Sequence, residues 1–158
     1  MKIAIGGDAA GFPLKGPIAA ALRERGHEVT DLGAHAGENP DFPDVAQTVC
    51  DAIRRGEAER AIMICGTGVG ACIAANKIAG IRAALCHDVY SAHQCVEHDD
   101  VNVMCLGAQI VGDKLAMELI EAFLKAEFST EEHFRRRVRK LHEMEKRFGE
   151  EVAQRTSS

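Results

Sequence analysis

Apolar positions along this chain switch between two periods. Residues 2–5 form a short apolar run ending in Gly6-Gly7, and Leu14, Ile18, Ala21, Leu22 and Arg25 follow at helical spacing, closed by Gly26. Residues 29–32 read as a second strand and 33–43 as a polar loop. Val45, Val49, Ala52 and Ile53 then mark an amphipathic helix ended by Gly56, and 61–64 is a continuous apolar run of the buried parallel type. A helix after Gly68, a strand at 81–86, a helix near 91–97 and a strand at 101–106 continue the alternation. Leu115, Leu119, Ile120 and Phe123 mark another helix, and Phe134, Val138, Leu141 and Phe148 a last one. Five strands separated by helices predict an α/β domain, with one parallel sheet covered on both faces and a C-terminal helix. The domain is expected over 1–149, followed by a polar tail at 150–158.

Composition agrees with a folded domain: 158 residues, 46% hydrophobic and 27% charged, enough to close one core. The start of the chain lacks the basic and apolar segments of a signal peptide, and no run reaches the ~18 apolar residues that span a bilayer. A soluble cytoplasmic protein without a membrane partner is therefore expected. A net charge of −5 and 4% aromatics without Trp argue against a nucleic-acid partner. The charge is unevenly spread, because Arg135-Arg136-Arg137-Val138-Arg139-Lys140 concentrates cations in the last helix. That run reads either as a solvated helix face or as an anion site.

Ligands of open parallel sheets sit beyond the carboxyl ends of the strands. Here that rule selects Gly7-Asp8, the loop Cys65-Gly66-Thr67-Gly68-Val69-Gly70, His87-Asp88, and the segment His98-Asp99-Asp100 ahead of the fifth strand. The glycine loop is the strongest of these, since glycines allow close backbone approach and amide groups there stabilise an anion. Two chemistries fit it. Gly66, Gly68 and Ala71, with Asp88 some 20 residues on, satisfy a loose dinucleotide fingerprint. Alternatively the loop is an oxyanion cradle into which Cys65 and Thr67 point, Cys65 serving as base or nucleophile. The six cysteines show no C-x-x-C spacing, so they read as thiols, with no metal site. Asp8 either caps the next helix or binds a sugar hydroxyl.

Residues 2–11, the run Ile64-Cys65-Gly66-Thr67-Gly68-Val69-Gly70 with Ile73-Ala74-Ala75-Asn76-Lys77, Gly80-Ile81-Arg82-Ala83, and residues 102–107 together resemble the type B ribose-5-phosphate isomerase family, which also contains the galactose-6-phosphate isomerase subunits. The resemblance extends to about Phe148. It implies a Rossmann-like fold and an aldose–ketose isomerase that needs no cofactor. It also implies a small phosphorylated sugar as substrate, and homodimers or homotetramers with sites shared between subunits. Matched by position, Cys65 is the base that moves a proton between C1 and C2, Thr67 its partner near the sugar oxygens, and the Gly66, Gly68, Val69 and Gly70 backbone the holder of the enediolate. His98 matches the residue that opens the furanose ring, Asp8 lies by the hydroxyls, and Arg137 matches a phosphate-binding arginine.

Three departures concern the substrate. The family's Asp-His-x-Gly reads Asp8-Ala9-Ala10-Gly11, its His-Asn-Asp reads His98-Asp99-Asp100, and the first arginine of its Arg-His-x-x-Arg-Val becomes His133. Two phosphate contacts are lost and a carboxylate is gained at Asp99, with Arg135, Arg136 or Arg139 left to compensate. A charge-assisted contact contributes on the order of 1.5–3 kcal/mol. Ribose 5-phosphate is therefore expected to be a secondary substrate, behind a four-carbon ketose phosphate such as an erythrulose phosphate, or a modified pentose or hexose phosphate. A nucleotide-binding module and a non-catalytic subunit of a hetero-oligomer are the competing readings.

Overall fold

Three runs are buried at nearly every position, as strands covered on both sides must be. They are β1 (Lys2–Gly7), β3 (Arg60–Cys65) and β5 (Val103–Gly107), the centre of the sheet in this computed structural model, which describes residues 1–156. Two more exposed strands, β2 (Glu28–Asp31) and β4 (Ala83–Leu85), close the edges, giving the all-parallel order β2-β1-β3-β5-β4. Six helices complete the described residues: α1 (Phe12–Glu24), α2 (Phe42–Arg54), α3 (Val69–Ala75), α4 (Val89–Asp99), α5 (Asp113–Lys125) and α6 (Glu132–Thr156). The predicted α/β, Rossmann-like domain is observed. Among the described residues no helix is long and apolar enough to cross a membrane.

Strand alternation divides the core in two. Ile3, Ile5, Ile62, Ile64, Met104 and Leu106 face one side, where α1, α4 and α5 pack. Ala4, Ala61, Met63, Cys65, Val103 and Cys105 face the other, where smaller side chains meet α2 and α3. Cys65 is thus the last inward residue of β3 on the α2/α3 face. Gly26 (φ +86°) and Gly56 (φ +71°) follow α1 and α2 as the sequence predicts, because the left-handed backbone there favours glycine.

Several boundaries differ from the pattern reading. The strand expected at 81–86 shrinks to Ala83–Leu85, because Arg82 N–H is bound by the Asn102 side chain at 2.9 Å instead of extending the ladder. Asn76 caps this edge strand, accepting from Ala83 N–H and donating to Ala83 C=O, both at 2.9 Å. The loop placed at 33–43 ends early, since Phe42 and Pro43 already form the first turn of α2. The last helix runs to Thr156, through most of the segment expected as a polar tail. In α6 only Val138 is buried, and Leu141, Met144, Phe148 and Val152 stay exposed.

Candidate active site

The strand order reverses between β1 and β3: α1 leaves β1 toward one face and α3 leaves β3 toward the other. The loops that follow these two strands therefore flank a crevice at the carboxyl edge of the sheet. Asp8 opens the β1 loop, and its Oδ1 accepts the Gly11 N–H at 2.9 Å while its carbonyl accepts Phe12 N–H at 2.9 Å. Asp8 thus organises the entry to α1, and its second carboxylate oxygen makes no hydrogen bond among the described residues. Ala9 beside it is exposed. Gly11 is pressed against β3, where an added Cβ would lie 1.8 Å from the Ile64 carbonyl oxygen and 3.1 Å from Cys65 N.

Cys65 ends β3, is 6% exposed, and its Sγ accepts the Gly68 N–H at 3.1 Å. Gly68 has φ +80° and no room for a side chain: a Cβ would meet Leu85 Cδ1 at 2.4 Å and the Leu106 carbonyl carbon at 2.9 Å. The glycine is required by the packing of β4 and β5 beneath the loop. Thr67 is exposed, and its Oγ1 accepts Val69 N–H at 3.4 Å. Val69 stands exposed at the start of α3, and Gly70 leaves space for the Phe42 ring, 3.1 Å from where a Cβ would be. Two bonds from the end of β5, Ala108 N–H to Cys65 C=O and Gln109 N–H to Gly66 C=O, both 2.9 Å, fix the loop from the far side. The N–H groups of the first turn of α3 lack carbonyl partners within the helix, so the loop presents donors beside a thiol and a hydroxyl.

Three features of this edge escape the sequence reading: the close contacts of Gly11 and Gly107, and the side chain of Gln109. Gly11 and Gly107 carry no local signal of their role, and a Cβ at Gly107 would sit 2.7 Å from the Thr67 backbone. The Gln109 side chain covers Gly66 at 3.1 Å from its would-be Cβ. His87 Nε2 accepts Gly107 N–H at 2.9 Å, tying the end of β4 to β5; its place after a strand is the one signal that points to it.

The remaining expected site residues lie elsewhere in the chain. His98 sits in the last turn of α4, which runs back from the carboxyl edge over about 16 Å. Its end is level with the strand beginnings: Asp100 C=O accepts from Arg82 Nε at 2.7 Å, and Asn102 C=O from Ala61 N–H. A single chain therefore does not bring His98 to Cys65. Near His98 gather Asp99, which is exposed, and the first turns of α6. Phe134 is the centre of this second cluster. His98 stacks on its ring at 3.9 Å and 18°, His133 tilts against it at 3.9 Å, and the Arg137 guanidinium lies 5.7 Å from its centre. His133 also pairs with Glu131 at 3.4 Å, and Arg139 with Glu132, whereas Arg137 has no carboxylate partner among the described residues.

All six cysteines are free thiols. Burial pushes the Cys50 thiol up to about 12. Cys72 is brought down to about 7, chiefly by a hydrogen bond with Cys105, which is itself pushed up by the same bond. Asp88, the acid of the dinucleotide fingerprint, caps α4 by accepting Ser91 N–H at 2.7 Å, which also lowers its carboxyl below the usual range. It follows β4, which is separated from β3 by β5, so the fingerprint's adjacent strand pair is missing.

Known proteins resemble this chain over nearly its full length. A family model described as Ribose/Galactose Isomerase matches residues 3–141. A D-erythrulose-4-phosphate isomerase from Pectobacterium atrosepticum is 49% identical over 129 residues, covering 81% of this chain and 85% of the relative. Ribose-5-phosphate isomerase B of Escherichia coli is 45% identical over 146 residues, covering 92% and 97%. The solved ribose-5-phosphate isomerase B of Clostridium thermocellum superposes with a TM-score of 0.90 at 47% identity, covering 94% of this chain and 99% of that one.

Proposed function

The chain belongs to the Ribose/Galactose Isomerase family and is an aldose–ketose isomerase of sugar phosphates; from that premise we propose how its residues divide the chemistry. Cys65 is the base. Its thiolate takes the proton from the carbon beside the carbonyl and returns it to the neighbouring carbon, so a single group serves both transfers. The negative charge that passes to oxygen in between is an enediolate. The amides of Gly66, Gly68, Val69 and Gly70 receive that charge, the Gly68 and Val69 N–H groups exchanging their resting bonds to Cys65 Sγ and Thr67 Oγ1 for it, and Thr67 Oγ1 relays the hydroxyl proton between the two sugar oxygens. Donors fixed in advance by Ala108 and Gln109 cost little reorganisation when the charge appears. The observation that carries this reading is the Cys65 sulfur held beneath the glycine loop at the β1/β3 crevice.

The site is completed by a second copy of the chain. Asp8, Cys65 and Thr67 gather at one edge of the sheet, and His98, Asp99, His133 and Arg137 at the other. A homodimer, or a dimer of dimers, joins the two halves. His98 then meets the sugar oxygens and the unpaired Arg137 meets the phosphate. No cofactor or metal is assigned a part. The free thiols support a cytoplasmic setting.

The preferred substrate is a four-carbon ketose phosphate, with ribose 5-phosphate secondary. Ala9 and His133 reduce the phosphate contacts, Asp99 favours hydroxyl donors, and a relative acting on D-erythrulose 4-phosphate is 49% identical. Kinetics of the purified protein on tetrose, pentose and hexose phosphates test this. The tetrose phosphate is expected to give the highest kcat/KM, and a wide margin in favour of ribose 5-phosphate would overturn the assignment of substrate. The intact loop speaks against a non-catalytic subunit, and the separation of β3 from β4 against a nucleotide-binding module.

A further inference from the structure

Gln94 stands one helical turn before His98 on α4, and its side-chain Nε2 lies 2.9 Å from His98 Nδ1. With its amide nitrogen towards the ring, Gln94 donates to Nδ1 as the accepting, unprotonated nitrogen, which leaves the imidazole proton on Nε2. Stacking on Phe134 at 3.9 Å and 18° holds the plane of the ring, and the Gln94 bond decides which way round it lies in that plane. Both Gln94 and His98 are half-buried, and Nε2 makes no hydrogen bond among the described residues. A neutral imidazole with a fixed, unoccupied Nε2–H is a hydrogen-bond donor.

We propose that Gln94 is a positioning residue that holds His98 as the Nε2–H tautomer, so that His98 meets the substrate as a neutral donor to a sugar oxygen. The inference rests on the reading above that His98 faces the substrate from a second copy. It also deepens the substrate assignment. A four-carbon sugar esterified at its terminal oxygen has no hydroxyl left to close a furanose ring. It reaches the site in open-chain form and needs no group to open a ring. What it needs at this position is a donor aimed at a carbonyl or hydroxyl oxygen, which is what the Gln94–His98–Phe134 arrangement supplies.

Long-range proton–nitrogen NMR of labelled wild-type protein, with His98 identified by the loss of its signal in His98→Ala, reads the tautomer directly. The proton is expected on Nε2. Gln94→Leu should release a mixture of tautomers and lower kcat/KM for the best tetrose phosphate roughly ten-fold, the scale of one lost hydrogen bond in a site. Gln94→Glu preserves the size of the side chain but presents only acceptors, which draws the proton to Nδ1. It should therefore cost at least as much as Gln94→Leu. A packing role alone makes Gln94→Glu the milder change in kcat/KM, whichever nitrogen then carries the proton. A wild-type proton on Nδ1, or kcat/KM within two-fold of wild type in both variants, would overturn the proposal. Unimpaired turnover in His98→Ala would count against the placement of His98 at the substrate, which the wild-type spectrum tests separately.

Discussion

Cys65 Sγ accepts the Gly68 amide at 3.1 Å across the turn that follows β3. The sulfur is therefore aimed by the backbone of its own loop and stays aimed when no substrate is present. If Cys65 carries the proton, Cys65→Ala should remove turnover by about 10²–10⁴-fold or more, the usual range for a positioned acid–base group. The fold should survive, because an alanine keeps the buried Cβ and loses one atom. Steady-state kinetics and thermal melting followed by circular dichroism check the two halves. An active Cys65→Ala protein would remove Cys65 from the mechanism.

Gly11 is the contact by which the Asp8 loop leans on β3, with the Ile64 carbonyl 1.8 Å from any added Cβ. The obstacle is backbone, so no side-chain rotation relieves it. Gly11→Ala must push the Asp8 turn and the end of β3 apart. We expect a loss of roughly 1–3 kcal/mol of stability, the cost of forcing extra volume into a packed site. We also expect a larger fall in kcat than Gly16→Ala produces, since a Cβ at Gly16 meets nothing within 4 Å. Denaturant melts and kinetics of the two variants side by side give the comparison.

The alternation of strands and helices was legible because each central strand is apolar on both faces and each early helix ends in a glycine. The Cys65–Gly70 loop was legible because its glycines are clustered. Other features leave no local trace. Gly11 and Gly107 look like ordinary turn residues until the strands that crowd them are known. Phe134 falls at a helical spacing that reads as core, yet it serves as a platform for His98, His133 and Arg137. The separation of His98 from Cys65 follows from the direction of α4, which joins the parallel strands β4 and β5 and so runs back to the edge where β5 begins, away from the end of β3.

Lys15 on α1 is 1% exposed, with Nζ 2.6 Å from Asp31 Oδ1 and 2.7 Å from Ala34 C=O. It pins the end of β2 to the loop that follows it. Removing only the partner strands a buried ammonium, whereas removing the ammonium leaves a carboxylate that is 28% exposed and able to hydrate. Asp31→Ala should therefore cost about 3 kcal/mol and Lys15→Met less, on the order of 1–2 kcal/mol. The order of the two melting temperatures is the test, and a more stable Asp31→Ala protein would contradict it.

The division of the site between two copies makes a sharper demand than a measured mass. As pure proteins, Cys65→Ala is expected to be inactive and His98→Ala to lose most of its turnover. After joint unfolding and refolding in equal amounts, half the dimers are mixed. In each mixed dimer one site carries both lesions and the other carries neither, because the two residues come from opposite copies. About one quarter of wild-type activity should return, as closed two-fold pairing requires. If the residues worked within one chain, every site would hold one lesion or the other and no activity would return. A mixture that regains no activity and whose dimers are shown to have exchanged would rule out the shared site while leaving Cys65 as the base.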